Sequence, residues 1–168
     1  MVKKSARRVV SQLPHHTNSR QLHLLSTDQC PVVVDINEQL NTAKLRVEQG
    51  TVDADDFDDE NRGVPAEVLL DELLRTRPDG LDAVVTHGDF CLDNLFAQAV
   101  GGQLEFSGFI DMDRGGVQDR YQDLAIALRC VRRHLDPKLE ALFLEHYGLV
   151  EHLDLKKVRY FMLLDEFF

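Results

Sequence analysis

Thr86-His87-Gly88-Asp89-Phe90-Cys91-Leu92-Asp93-Asn94 is followed, after a segment that reads as a hairpin, by Phe109-Ile110-Asp111. In this order and spacing Asp89 can orient an attacking hydroxyl and take its proton, while Asn94 and Asp111 offer oxygen ligands to a magnesium ion bridging phosphates. Phosphoryl transfer needs positioning and charge neutralisation more than covalent help. Magnesium takes hard oxygen donors and keeps waters and phosphate oxygens, so one carboxylate beside a neutral Asn serves it without excess negative charge. His87 reads as a structural residue that hydrogen-bonds the loop. An H-x-D-x-x-x-x-N string alone carries little weight, because Asp and Asn in loops commonly make turns and caps. The strand before it, the hairpin after it and Asp111 at the far end add the weight. Two other chemistries stay open on the same residues: a metal-hydrolase cluster of His87, Asp89, Asp111 and Asp113, and a binding module without turnover.

The elements that must position these residues follow from local patterns. Ala83-Val84-Val85-Thr86 is a short buried strand running into the loop; Leu95 to Val100 and Gln103 to Ile110 pair as a hairpin across Gly101-Gly102. Ahead of them, Leu40, Ala43 and Val47 predict a helix over 37–49 that Gly50 stops. Pro65 starts a second helix, with Val68, Leu69, Leu73 and Leu74 as its apolar face. Three helices are predicted beyond the hairpin: one marked by Tyr121, Leu124, Ala125, Leu128, Val131 and Leu135; one capped by Asp136-Pro137 and closed by Gly148; one capped by Asp154, with Leu155, Val158, Phe161 and Met162 on its face. The predicted class is α+β, mainly helical, with a small β-hairpin carrying the catalytic and metal-binding loops.

With 168 residues, 43% of them hydrophobic and 29% charged, the chain suits one globular domain with a sizeable core. No apolar run approaches the ~20 residues of a membrane-spanning helix. Cys30, Cys91 and Cys130 are odd in number and widely spaced, which argues against a disulfide framework or zinc knuckle and for a reducing cytoplasm. Residues 1–20 hold five basic side chains, no acid, Pro14 and the His15-His16 pair, and read as a flexible leader before a domain over 21–168. The whole chain has a formal net charge of −10, and the part after Arg20 carries −15. That body should repel nucleic-acid phosphate and attract polycations. The densest acids, Asp53, Asp55, Asp56, Asp58, Asp59 and Glu60, surround Phe57 and read as a solvated loop.

Val85-Thr86-His87-Gly88-Asp89, Gly108-Phe109-Ile110-Asp111, Asp119-Arg120-Tyr121-Gln122-Asp123 and the final Leu163-Leu164-Asp165-Glu166-Phe167-Phe168 together resemble the aminoglycoside 3'-phosphotransferases, from about Leu22-His23 to the last residue. The resemblance implies a protein-kinase-like C-terminal lobe that transfers the γ-phosphate of ATP, with magnesium, to an aminoglycoside 3'-hydroxyl. It implies Asp89 as the catalytic carboxylate, Asn94 and Asp111 as metal ligands, and Arg114 as a charge partner near the transferred phosphate. Asp165, Glu166 and the Phe168 carboxylate, helped by Asp56, Asp58 and Glu60, would grip the drug's ammonium groups; clustered acids in a cleft are what a polyamine sugar demands. Two features depart from that pattern. Arg132, Arg133 and His134 stand where such enzymes often carry acids, and no Gly-rich phosphate loop or V-A-I-K-like strand lysine is present. The expectation is therefore a catalytic half lacking most of the nucleotide-holding lobe and impaired in transfer, with an inactive remnant, a cationic-sugar binding module or another small-molecule kinase of this fold as rivals.

Overall fold

Apolar residues at helical spacing produce most of the six α-helices that the computed structural model contains among residues 18–168, which are the residues it describes. The basic run at Lys3, Lys4, Arg7 and Arg8, and the His15-His16 pair, lie outside the described residues. Helix α1 spans Asn18–His23 and crosses the leader boundary expected at residue 20, because Leu22 and His23 are buried against the body and hold that turn in place. α2 spans Ile36–Glu48; its N-cap Asp35 accepts from the Asn37 N–H at 2.8 Å, and it buries Ile36, Leu40 and Ala43. α3 spans Ala66–Arg75 and buries Leu69 and Leu73, whereas Val68 and Leu74 of the expected face are exposed. The buried stripe is narrower than the sequence suggests because α3 lies at the edge of the helical layer.

The hairpin forms as expected: β2 (Leu95–Val100) pairs antiparallel with β3 (Gln103–Phe109) across Gly101-Gly102. Both glycines have positive φ, as the tight two-residue turn requires. Most of β2 is solvent-exposed, so this hairpin stands out from the core. A second sheet has no counterpart in the sequence reading. β1 (Ala83–Thr86) pairs antiparallel with β4 (Gly116–Asp119), with Thr86 opposite Gly116, and Val32 to Val34 add backbone hydrogen bonds to Val117. β4 opens on glycines and has no alternating pattern, so only its partner strand reveals it.

α4 (Tyr121–His134) runs through the core and is buried along most of its length against α6 (Leu155–Asp165). Asp154 caps α6, accepting from the Lys156 and Lys157 N–H groups; Val158, Phe161 and Met162 of the expected face are buried, joined by Tyr160, Leu163 and Leu164, while Leu155 is exposed. α5 (Leu139–Tyr147) ends at Gly148 as expected; its N-cap is Lys138, and Asp136 acts one turn earlier by accepting the Lys138 N–H at 3.1 Å. The architecture is the expected mainly helical α+β fold.

Candidate active site

Strand β1 delivers His87-Gly88-Asp89 to the end of the β1/β4 sheet, and a buried carboxylate from α4 holds them there. Asp123 Oδ2 accepts the His87 N–H at 2.9 Å and Oδ1 accepts the Gly88 N–H at 2.8 Å. Behind it, His23 Nε2 donates to Asp123 Oδ2 at 2.9 Å, and His23 Nδ1 lies 2.5 Å from the Tyr147 hydroxyl. Burial pushes the Tyr147 phenol up to about 12, against the pull of Arg120, so this hydroxyl remains a proton donor to His23. Gln122 Nε2 donates to Gly88 O at 3.1 Å, and Gln118 Nε2 to Arg114 O at 3.0 Å. Gly88 has φ +88°, and a Cβ there would fall 2.1 Å from Arg114 O, so no other residue lets the two loops close on each other.

His87 is fully buried and links three parts of the site, in keeping with a structural part in the loop. Its Nε2 donates to Ile110 O at 2.9 Å while its Nδ1 accepts the Asp89 N–H at 3.3 Å, so the carbonyl partner puts the ring proton on Nε2. Ile110 N–H in turn donates to Asn94 O at 3.1 Å, which ties Asp111, one residue on, to both loops. Asp111 is exposed at φ +59°, the one non-glycine residue with positive φ among the described residues. Such strain of order 1 kcal/mol or more persists where surrounding structure enforces it, commonly at functional sites. Asn94 Nδ2 donates to Asp89 O and to Asp89 Oδ2, both at 2.9 Å. With its amide nitrogen so engaged, the side-chain carbonyl oxygen is the Asn94 atom that could serve a metal. No group of three or more His, Cys, Asp or Glu arranged for a metal occurs among the described residues, which removes the hydrolase cluster of His87, Asp89, Asp111 and Asp113 from consideration. An Asn oxygen and one carboxylate fit magnesium held partly by phosphate oxygens.

Asp89 lines a cavity of about 320 Å³ together with Arg114, Asp165, Glu166 and Phe168. The acids expected to face a substrate are largely engaged within the protein. Asp165 is buried, pairing with Arg114 Nη2 at 2.7 Å and with Arg129. The Arg114 guanidinium also lies 5.1 Å over the Phe168 ring, so it faces the acid wall as well as the cavity. Glu166 accepts the Asp58 N–H at 3.1 Å and the Asn61 amide at 2.5 Å, and burial raises its pKa against the pull of Asn61. Phe168 O accepts from Arg46 at 3.0 Å. Phe57 is buried in the core and pins the acid-rich loop, whose Asp53, Asp55, Asp56, Asp59 and Glu60 are exposed as expected of a solvated loop, while Asp58 is buried and pairs with Arg133 Nη2 at 2.5 Å and Arg129 Nη1 at 3.9 Å. Burial raises Asp58's pKa, opposed by both arginines. Asp56 lines the cavity from an exposed position, while Glu60 lies outside it, 3.4 Å from Arg159. Five acidic side chains and four arginines line the cavity, so the strongly anionic cleft expected from the sequence is close to balanced in charge.

Local patterning holds no signal for His23, Tyr147 or Arg129, whose partners are 36 to 124 residues away in the chain. Asp123 stands in a string already noted, but its task is visible only once α4 is packed under the loop.

Known proteins resemble this chain in sequence and in fold. An aminoglycoside 3'-phosphotransferase of Niallia circulans is 43% identical over 150 residues, covering 89% of this chain and 55% of that protein. One from Escherichia coli is 40% identical over 149 residues, covering 89% of this chain and 53% of its own length. Among solved structures, a type VIII aminoglycoside-3'-phosphotransferase superposes with a TM-score of 0.80 at 36% identity, covering 89% of this chain and 57% of that one. A Streptomyces rimosus aminoglycoside phosphotransferase in complex with ADP and streptomycin superposes with a TM-score of 0.75 at 29% identity, covering 89% and 58%. The chain spans about half the length of the curated relatives it matches. No helix among the described residues is long and apolar enough to cross a membrane. Residues 16–161 match the model of the phosphotransferase enzyme family, and the chain belongs to that family.

Proposed function

We propose that this chain provides the catalytic loop and acceptor wall for ATP- and magnesium-dependent phosphoryl transfer to an aminoglycoside 3'-hydroxyl, in the manner of a C-terminal lobe spanning 21–168. The observation that carries the reading is one cavity lined by both Asp89 and the acid-rich wall of Asp165 and Glu166. Asp89 Oδ2 is held by Asn94 Nδ2, which leaves Oδ1 to orient the attacking hydroxyl and to take its proton late in a loose transition state. Asn94 and Asp111 would hold magnesium, which when bound neutralises the charge developing on the transferred group. Arg114 adds a fixed positive charge at the cavity for the phosphoryl oxygens. Asp165, Asp58 and Asp56 draw the acceptor's ammonium groups, with Glu166 fixing the loop that carries Asp58. Relatives include a streptomycin 3''-kinase and an ADP–streptomycin complex, which supports a nucleotide donor and a cationic sugar acceptor here.

The test uses the protein expressed from its whole reading frame. Magnesium-dependent ADP release stimulated by kanamycin is expected, with Asp89→Ala slowing it by about 10²–10⁴-fold while leaving kanamycin binding nearly intact. Asn94→Ala should be partly rescued by raised magnesium. Near-normal turnover in the Asp89 variant would refute the assignment, and phosphate-ester hydrolysis without ATP would indicate different chemistry.

A further inference from the structure

Arg133 stands in the wall between two cavities. Like Arg129, it lines both the 320 Å³ space that contains Asp89 and a neighbouring space of about 430 Å³, which is bounded by Asp58, Asp59, Glu60 and Arg132. Its Nη2 lies 2.5 Å from Asp58 Oδ1 and donates to Asp56 O at 3.4 Å. The other cation near Asp58, Arg129 at 3.9 Å, is committed more closely to Asp165. Arg133 comes from the last turn of α4 and its side chain is 38% exposed, so water already reaches the guanidinium and the side chain can swing away from Asp58.

On the reading of the Asp89 cavity as the acceptor site, we infer that Arg133, which lines that cavity and covers Asp58, is a specificity-determining residue: its guanidinium acts as a built-in counter-cation on Asp58 that an acceptor's ammonium group must displace. Exchanging one cation for another at the same carboxylate gains little, whereas an Asp58 uncovered by Arg133 would attract a polycation outright. Acceptors are then selected for charge placed away from Asp58, and the acid-rich wall binds polyamine sugars less tightly than its carboxylates alone would allow. Arg132 supplies the internal comparison. It is adjacent in sequence, equally basic and shares the neighbouring cavity with Asp58, but it pairs with Glu140 at 2.9 Å and does not line the Asp89 cavity.

Calorimetric titration with kanamycin at physiological ionic strength tests this, because remote charges are screened beyond about 8 Å there. Arg133→Gln should bind kanamycin roughly two- to fivefold more tightly than the unsubstituted protein, the range expected from releasing a partly exposed ion pair. Arg132→Gln should change affinity little. Arg133→Lys, which keeps the cation and should keep the fold, should bind like the unsubstituted protein. Fully N-acetylated kanamycin, with no ammonium groups, should not distinguish the variants. Kanamycin binding that is unchanged or weaker in Arg133→Gln, or strengthened equally in Arg132→Gln, would overturn the role of Arg133 and leave the acceptor cavity standing. Failure of every variant and of the unsubstituted protein to bind kanamycin would remove the acceptor reading and this inference together.

Discussion

Asp123 and Asp58 are both buried carboxylates, one beneath the loop that carries Asp89 and one beside the neighbouring 430 Å³ cavity, but they are neutralised in different ways. Asp123 accepts two backbone N–H groups of the catalytic loop and the ring of His23, all from groups that are themselves buried. Asp58 is met by two arginines, one of which reaches it from solvent. Backbone donors are fixed by the fold and cannot leave, whereas a long side chain can exchange for another cation. The comparison separates a part of the site built for rigid positioning from a part whose charge can be redistributed on binding.

Breaking the rigid part should have the largest effect. Asp123→Ala leaves the His87 and Gly88 N–H groups buried without acceptors, each costing about 1–3 kcal/mol, so a loss near 3–5 kcal/mol is expected in chemical denaturation. A loss under about 1 kcal/mol would mean that the loop is not anchored through this residue. Gly88→Ala comes next. The contact with Arg114 O and the positive φ together should cost about 2–4 kcal/mol and misplace Asp89, visible as lower stability with a fall in kcat. Stability unaffected by this methyl group would show that the two loops do not close as described.

The exchangeable part should respond more gently, and through pH. Burial raises the pKa of both Glu166 and Asp58. The folded state therefore keeps protons that the unfolded chain has released, and stability should decline as pH rises from the ordinary carboxylate range through the raised values. Glu166→Gln, which can still accept from Asp58 N–H and Asn61, should flatten that decline in denaturation curves recorded across acid pH. An equally steep decline in the variant would place the titration elsewhere. The smallest effect belongs to Glu60→Ala. Its exposed pairing with Arg159 lies outside the Asp89 cavity, so stability should move by less than about 1 kcal/mol and kanamycin affinity should hold. A large loss of affinity would extend the acceptor wall to include it.

The helices α2, α4, α5 and α6 and the β2–β3 hairpin were legible because each rests on local signals: apolar periodicity, the cap Asp154, the stops Gly50 and Gly148, and the glycine pair. The types and spacing of Asp89, Asn94 and Asp111 are likewise a local signal, and the proposed phosphoryl-transfer role of these residues rests on it. What stayed hidden was non-local. β4 exists because β1 pairs with it, and Phe57 turns an acid-rich run into a buried anchor because a core cavity receives its ring.

The order of residues along the chain therefore determined which groups could perform phosphoryl transfer and which elements would carry them, since spacing and periodicity are properties of neighbours. Only the tertiary structure decided what those groups are charged against. Asp165, Asp58 and Glu166 read as free acids in the sequence, yet Arg114, Arg129, Arg133 and Asn61 meet them after folding. Coulomb attraction and desolvation depend on distance in space, and chain position does not supply that distance.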